Sequence, residues 1–596
     1  MAAPRFEDNL IQLFRQQARK GGDAPFLWRK QEGAYRARSW QRAEEEVDAL
    51  ARALIEFGVA PGDRVALIAE NRPEWAIADL AIMAAGGLTV PGYTTSMPDD
   101  HAYVLQHSGA KGVIVSGKTA AKRVAQAVAS ASDVRFILVI DGHEDTAGAT
   151  TPVMCWKEAL DLGGERKAVP LPGDAADPDR TACFIYTSGT GGRPKAVMQS
   201  HRNILTNVRA AQALMDRTCG VSDDEVFLSF LPLSHAYEHT CGQFLAIALG
   251  AQTYYAESVE ALSRNLQEAK PTIMTCVPRL HEVLRQKLIQ RIDREGGLKA
   301  RLFHQAVRLG RKRYEQGGRL GVIDGLADAV LERLVRGKVR EQFGGRIKAL
   351  VSGGAPLNYD VGVFFVALGL PLLQGYGQTE ASPLISVNPP GGIRIETVGP
   401  PVDFIEVRLA EDGEILVRGP SVMKGYWQDE GATAEVLKGE WLHTGDVGEI
   451  DGRGYLRITD RKKDLIVNSG GDNISPQRVE GVLSLEPEIA QAIVFGDRRP
   501  HLVALLVADD AAVKRAGVAK DGAELDAHEG LRTLIGEAVR RANAKLSGAE
   551  KVRRFHIMAE PFSVENKLMT PTLKLRRGVI AKAHADLVEG LYAKGA

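Results

Sequence analysis

Residues 186 to 201 read YTSGTGGRPKAVMQSH, from Tyr186 to His201. The four residues before them, Ala182 to Ile185, are apolar and suit a buried strand. After them Ile204, Val208, Ala211 and Met215 recur at helical spacing, and Ser200 is suited to cap that helix at its N-terminus. The expectation is a loop that leaves a strand and returns into a helix. Gly189, Gly191 and Gly192 let its backbone adopt positive φ and approach a ligand closely. Successive N–H groups in such a loop form a concave anion site. Thr187, Ser188 and Thr190 add hydroxyls, and Arg193 and Lys195 add charge. Oligophosphate is the ligand this chemistry suits. A flexible surface turn has the same composition. A P-loop does not fit, because Pro194 precedes Lys195 and Ala196 follows it, where that motif needs Gly and Ser or Thr.

A chain of 596 residues is too long for one ordinary domain, so two or more are expected. Apolar residues make up 44% and charged residues 25%, as in ordinary globular proteins. Lys+Arg equals Asp+Glu at 75 each, which gives no reason to expect nucleic acid as a partner. Cys155, Cys183, Cys219, Cys241 and Cys276 form no CxxC pair, so neither a zinc site nor a disulfide framework is indicated. The start, MAAPRFEDNLIQLFRQQ, has no signal-peptide core. The longest apolar run, Val361 to Leu373, includes Pro371 and falls short of a bilayer span. A cytoplasmic location is the resulting expectation.

Phe6 to Phe57 is expected to be helical. Apolar strands are expected at Val65 to Ala69, Leu88 to Pro91, Gly112 to Val115 and Phe136 to Ile140, with Asn71 to Trp75 turning into a helix between the first two. Strands alternating with helices predict a mainly parallel, doubly wound α/β sheet. Val226 to Leu233 reads as a strand that runs into PLSHAYEH, containing His235, Tyr237, Glu238 and His239. Arg279 to Lys348 reads as a helical insert with 18 Lys+Arg against 8 Asp+Glu. Its basic face is either solvated or a contact for anionic lipid. LVSGGAP at 350–356 and LPLLQGYGQTE at 370–380 each read as a strand entering a glycine turn. From Gly399 the alternation of apolar and polar residues predicts antiparallel strands. After Asp460-Arg461-Lys462-Lys463-Asp464 the chain mixes strands and helices.

The pattern Ser-Gly-Thr-x-Gly-x-Pro-Lys resembles the phosphate loop of the adenylate-forming superfamily, which includes acyl-CoA synthetases, luciferases and peptide-synthetase adenylation domains. SGGAP, GYGQTE, HTGD, DRKKD and TPTLK follow in that family's order, and the basic insert resembles that of long-chain fatty acyl-CoA synthetases. The resemblance implies a large N-terminal domain (residues 1–459) of doubly wound sheets with a distorted β subdomain. It implies a small mobile α+β domain (residues 460–596) hinged at Asp460. It implies ATP, Mg²⁺ and coenzyme A, and a fatty acid as the acid substrate. The implied nucleotide contacts are Ser188, Gly189, Thr190, Gly191, Gly192, Gly353, Gly354, Ala355, Gly375, Tyr376, Gly377, Thr379, Asp446 and Arg461, with Tyr376 stacked on adenine and Asp446 on ribose. Glu380 and Thr187 are the implied Mg²⁺ ligands, and Lys195 is the implied charge on the phosphates. His235 and Tyr237 fall at the acyl pocket, and Gly470 and Gly471 on the coenzyme A path. Lys574 is the implied catalytic lysine, with Lys567 as its neighbour and competitor. A fatty acyl-AMP ligase, a synthetase for aromatic or medium-chain acids and a non-catalytic nucleotide- or acyl-binding regulator remain as alternatives. A homodimer and a peripheral membrane contact, weakened by removing the charges of Arg311, Lys312 and Arg313, are further expectations.

Overall fold

The computed structural model describes residues 9–142, 146, 149, 151–187, 193–462, 464–518, 525–570 and 575–593. Strand and helix alternate as the apolar runs require. A seven-stranded sheet runs in the order Val153–Cys155, Phe136–Val139, Gly112–Val115, Arg64–Ile68, Leu88–Pro91, Thr181–Thr187 and Lys195–Ser200. Every neighbouring pair is parallel except the last. Leu88–Pro91, Gly112–Val115 and Phe136–Val139 are buried along their whole length. That explains their uninterrupted apolar sequence, because parallel strands are covered on both faces.

An eight-stranded sheet runs Leu384–Val387, Leu372–Gly377, Ala349–Ser352, Ile273–Cys276, Val226–Ser229, Gln252–Tyr255, Pro25–Gln31 and Ala34–Ser39. It is parallel inside and antiparallel at both edges. The Ala34–Ser39 edge corrects the helical expectation for residues 6–57. Helices Leu10–Gly21 and Trp40–Glu56 are separated by a hairpin. Glu32 and Gly33 turn it with φ of 49° and 82°, the positive pair that a two-residue hairpin turn requires. The hairpin's outer residues are polar, so its alternation resembles the amphipathic helices on either side.

The glycine-rich stretch is also corrected. The chain does not pass straight from loop to helix: Lys195–Ser200 first returns as a strand antiparallel to Thr181–Thr187. Only then does the His201–Thr218 helix begin. Ser200 does cap it, its Oγ accepting from the Asn203 amide at 3.1 Å while Asn203 Oδ1 accepts from the Ser200 amide at 2.8 Å.

Residues 278–342 hold a run of helices, in the order Pro278–Glu295, Gly297–Glu315, Val322–Leu331, Glu332–Arg336 and Gly337–Gln342, with a turn at 316–321. Glu406–Leu409, Glu414–Arg418, Trp441–Ile450, Leu437–Lys438 and Leu456–Arg461 form the expected antiparallel sheet. Beyond it a three-stranded sheet of Ile489–Phe495, Leu502–Ala508 and Val552–Ile557 packs with the Glu529–Asn543 helix around its own core of Leu483, Leu502, Leu506, Ile535 and Val539.

Candidate functional site

Parallel neighbours place the loops that follow their carboxyl ends along one rim of each sheet, where open α/β folds bind ligands. The loops after Thr181–Thr187, Val226–Ser229, Ala349–Ser352 and Leu372–Gly377 are the glycine-rich loop, PLSHAYEH, GGAP and QTE. The return strand of the first sheet and the helix after it are tied to the loop that follows Leu372–Gly377 by hydrogen bonds. Gln199 Nε2 donates to the Thr379 carbonyl at 2.7 Å, and Asn207 Nδ2 donates to the Ala381 carbonyl at 3.2 Å. Gly377 permits the tight turn between them: a Cβ there would lie 2.1 Å from the Pro383 carbonyl oxygen.

Thr187 and Lys195 are paired across the hairpin. Ser188, Gly189, Thr190, Gly191 and Gly192 lie outside the described residues. Lys195 Nζ sits 4.9 Å above the ring of Tyr426, whose hydroxyl donates to Glu380 Oε1 at 2.8 Å. Tyr426 therefore joins two residues named from sequence, and was itself missed. It lies in KGYW, which reads as the end of an ordinary antiparallel strand. Nothing in its spacing announces the bridge that its backbone makes to Val197. Among the described residues Glu380 Oε2 accepts no hydrogen bond, so one hard oxygen remains for a cation beside the loop. That suits Mg²⁺.

The second cluster centres on Asp446, which is buried. The Tyr376 hydroxyl donates to Asp446 Oδ2 at 2.7 Å, and Arg461 Nε donates to Oδ1 at 2.9 Å. Asp446 and Arg461 are cross-strand partners, so sheet register sets this pair. Burial, reinforced by the Asp446 charge, pushes the Tyr376 hydroxyl well above its ordinary pKa and keeps it a donor. Asp460, next in the strand, accepts from the Arg461 amide at 2.7 Å, and burial raises its carboxyl.

Gly353 lies under the ring of Tyr237, where a Cβ would approach the ring carbons to 3.2 Å. The Tyr237 hydroxyl donates to the Val351 carbonyl at 2.8 Å, linking PLSHAYEH to GGAP. Gly354 and Ala355 are exposed beyond it, and Gly375 is half-buried in its strand. His235 is half-buried, and its Nδ1 accepts from the Tyr237 amide at 3.2 Å. Glu238 and His239 turn away from this loop into the core. Glu238 accepts from Ser229 Oγ at 2.7 Å and from the Thr275 hydroxyl, while His239 Nε2 meets Asp79 at 2.9 Å.

Gly470 and Gly471 form an exposed turn between Ile466–Val467 and Asn473–Ile474, with Asn468 Oδ1 accepting from the Gly470 amide at 2.9 Å. Lys574 lies outside the described residues, as do Pro571, Thr572 and Leu573. Lys567 is exposed, at φ of 62°. The structure thus brings Lys195, Glu380 and Thr379 together at one rim, and Tyr376, Asp446 and Arg461 at another point reached by the same GYGQTE loop.

This fold and these loops define an adenylate-forming protein, and the chain belongs to the AMP-binding enzyme family, whose pattern matches residues 14–427. The family's C-terminal domain matches residues 463–596. A long-chain-fatty-acid–CoA ligase, FadD15 of Mycobacterium bovis, is 34% identical, covering 98% of this chain and 97% of the relative. The peroxisomal long chain acyl-CoA synthetase 7 of Arabidopsis thaliana is 30% identical, covering 94% of this chain and 82% of the relative. Among solved structures, the A domain of a carboxylic acid reductase from Segniliparus rugosus, in complex with AMP and a co-purified carboxylic acid, superposes with a TM-score of 0.78 at 22% identity, covering 100% of this chain and 95% of that one. At that identity the likeness shows the fold.

Proposed function

We propose that this enzyme is an ATP-dependent long-chain fatty acid–CoA ligase acting in two half-reactions. The observation that carries the reading is the pair of clusters reached by the GYGQTE loop, Tyr376–Asp446–Arg461 and Lys195–Tyr426–Glu380, in a chain related end to end to long-chain ligases. In the first half-reaction a carboxylate oxygen attacks the α-phosphorus of ATP, the bond to the β-phosphate breaks, and pyrophosphate leaves. In the second, the coenzyme A sulfur attacks the acyl carbon and AMP leaves. The first step brings anions together, so charge neutralisation and alignment are what the protein has to supply.

Asp446 suits the ribose diol, since a carboxylate accepts from both hydroxyls. The Tyr376 ring offers a face to adenine, and Lys195 with the hydroxyls of Thr187, Ser188 and Thr190 suits the phosphates. Gly189, Gly191, Gly192, Gly353, Gly354, Ala355, Gly375 and Gly377 leave the backbone room to close on the nucleotide. Glu380 with Thr187 would hold Mg²⁺, which when bound neutralises phosphate charge. His235 and Tyr237 are assigned to the acyl pocket, and Gly470 and Gly471 to the coenzyme A path. Lys574 bridges carboxylate and α-phosphate. The domain boundary is at Asp460, about which residues 460–596 rotate between half-reactions and keep water from the mixed anhydride. A cytoplasmic location with peripheral contact to anionic membrane completes the reading.

The test separates the half-reactions. Lys574→Ala should abolish acid-dependent pyrophosphate exchange while sparing thioester formation from supplied acyl-AMP. Asp460→Pro, which fixes φ near −65°, should do the reverse. Equal loss of both steps in Lys574→Ala, or a worse effect from Lys567→Ala, would remove the lysine assignment. AMP release that depends on acid but not on coenzyme A would favour a fatty acyl-AMP ligase, and a screen of aliphatic and aromatic acids tests the substrate class.

A further inference from the structure

The Val322–Leu331 helix and the turn after it have two apolar faces. One is packed: Leu331 is buried with Ala306 and Leu309, and Ala327 and Val335 lie against the same cluster. The other points to solvent. Val322, Ile323, Leu326, Val330 and Leu334 are 81%, 84%, 69%, 57% and 50% exposed. Spaced mainly by four residues, they fall on one stripe of a helix. A surface helix ordinarily turns its polar side outward. Of eleven exposed large hydrophobic residues among those described, five are in this stripe, so it is a patch and not the usual scatter.

The charges around the stripe are not balanced. Its own acids are engaged: Asp324 pairs with Lys312, Asp328 with Arg313 and Arg336, and Glu332 with Arg340. Arg308, Arg319, Arg333 and Lys338 are exposed, and among the described residues none of them makes an ion pair. The cations left free are therefore not the densest basic run. Arg311 is held by Glu315 and Asp360, and Lys312 and Arg313 by the acids just named.

We propose that this stripe is a docking surface for an anionic lipid membrane, with Val322, Ile323, Leu326, Val330 and Leu334 entering the acyl boundary and Arg319, Arg333 and Lys338 meeting the headgroups. An apolar face ringed by basic residues is what interfacial helices present to anionic lipid. The same charge opposes the stripe's pairing with a second copy of itself, since a two-fold contact sets like charges against each other. The inference names the surface for the membrane contact in the proposed function, and rests on the proposed catalysis only in its purpose, which is to shorten the route of a membrane-held acid to the enzyme. Docking is measured without ATP, acid or coenzyme A, so it fails or stands independently of the activity.

The experiment is co-sedimentation of the full chain with vesicles of phosphatidylglycerol and phosphatidylcholine, and of phosphatidylcholine alone, at low and physiological salt. Binding to the anionic vesicles, weaker at the higher salt, is expected. Ile323→Ser with Leu326→Ser and Val330→Ser should weaken it about tenfold or more, and Arg319→Ser with Arg333→Ser and Lys338→Ser by a similar factor. Arg311→Ser with Lys312→Ser should change it less than about threefold. All these side chains are at the surface, and an unchanged melting temperature checks the fold of each variant. Absence of binding at low salt overturns the proposal, as does wild-type binding by the apolar variant. So does concentration-dependent self-association, seen by light scattering, that the apolar variant abolishes: the stripe would then belong to a second copy of the chain.

Discussion

Glu74 and Glu238 are both buried carboxylates, and their surroundings drive them in opposite directions. Glu74 opens the Pro73–Ala84 helix between two guanidiniums, with Arg72 Nε at 2.7 Å and Arg38 Nη2 at 2.6 Å. Burial alone would raise its pKa, but Arg38 and Arg72 bring it down to about 2. Glu238 has neutral partners, the hydroxyls of Ser229 and Thr275 and the Phe230 backbone amide, and burial pushes it up to about 7. Burial therefore does not set the charge of a carboxylate; the ionic state of its partners does. Glu380 is the third case. It is half-buried, takes one neutral hydroxyl from Tyr426 and, among the described residues, keeps an oxygen open. The first two carboxylates are closed by protein, and only the third is left able to take a ligand.

The strongest way to break this comparison is Glu74→Ala. It leaves Arg72 buried with Asp141 as its remaining partner and strips Arg38 of a close one. Losing one side of a buried pair costs about 3–5 kcal/mol, and urea unfolding at pH 7 measures it. A loss under about 1 kcal/mol would mean that the pair is not protected from solvent in the way its burial implies. In the wild type, the folded pKa of Glu74 lies below its unfolded value of 4.5, so its contribution is present above pH 4.5 and is lost as pH falls toward about 2.

Glu238 should give the opposite slope in a different window. Its folded pKa lies above the unfolded 4.5, so the native state holds an extra proton between pH 4.5 and about 7, and stability falls as pH rises through that range. The full effect is about 3 kcal/mol. Glu238→Gln keeps the shape and cannot ionise. The difference between its unfolding free energies at pH 5 and pH 7.5 should shrink by about 2 kcal/mol relative to wild type, the rest of the effect lying below pH 5. An unaltered difference would show that Glu238 is charged throughout.

Tyr426→Phe sharpens the third case with the smallest effect. It removes one hydrogen bond from a neutral hydroxyl to Glu380, worth about 1 kcal/mol, and keeps the ring beneath Lys195. The kcat/KM for MgATP should fall about fivefold with little change in melting temperature. A larger thermal loss without a kinetic one would make Tyr426 a packing residue and separate it from the site.

Much of the architecture was legible along the chain. Leu88–Pro91 and Gly112–Val115 lie where their apolar runs end, Phe136–Val139 stops one residue short of its run, and Asn71 to Trp75 does turn into a helix. The Ala349–Ser352 strand and the start of Leu372–Gly377 were readable for the same reason, but Gly375, Tyr376 and Gly377, read as a turn, continue that strand against Leu384–Val387. The hairpin at Pro25–Ser39 and the return strand Lys195–Ser200 were not readable. Ala34–Ser39 and Lys195–Ser200 are edge strands of mixed polarity, and Pro25–Gln31 takes its strand character from partners on both sides, one of them Gln252–Tyr255, more than two hundred residues away.

The sequence by itself determined the order of glycine loops, the alternation of strand and helix, the Ser200 cap and the excess of positive charge in the insert. These are properties of neighbours in the chain, where a backbone's φ preference, a cap or an apolar period acts over a few residues. Packing decided that Tyr426 would join Lys195 to Glu380, that Asp446 would be gripped by Tyr376 and Arg461, and that Arg311, Lys312 and Arg313 would be paired while Arg319, Arg333 and Lys338 make no ion pair among the described residues. Composition counts charges and hydroxyls but does not pair them. Pairing is a matter of distance, and distance between residues far apart in sequence is set only when the sheets take their register and the helices pack.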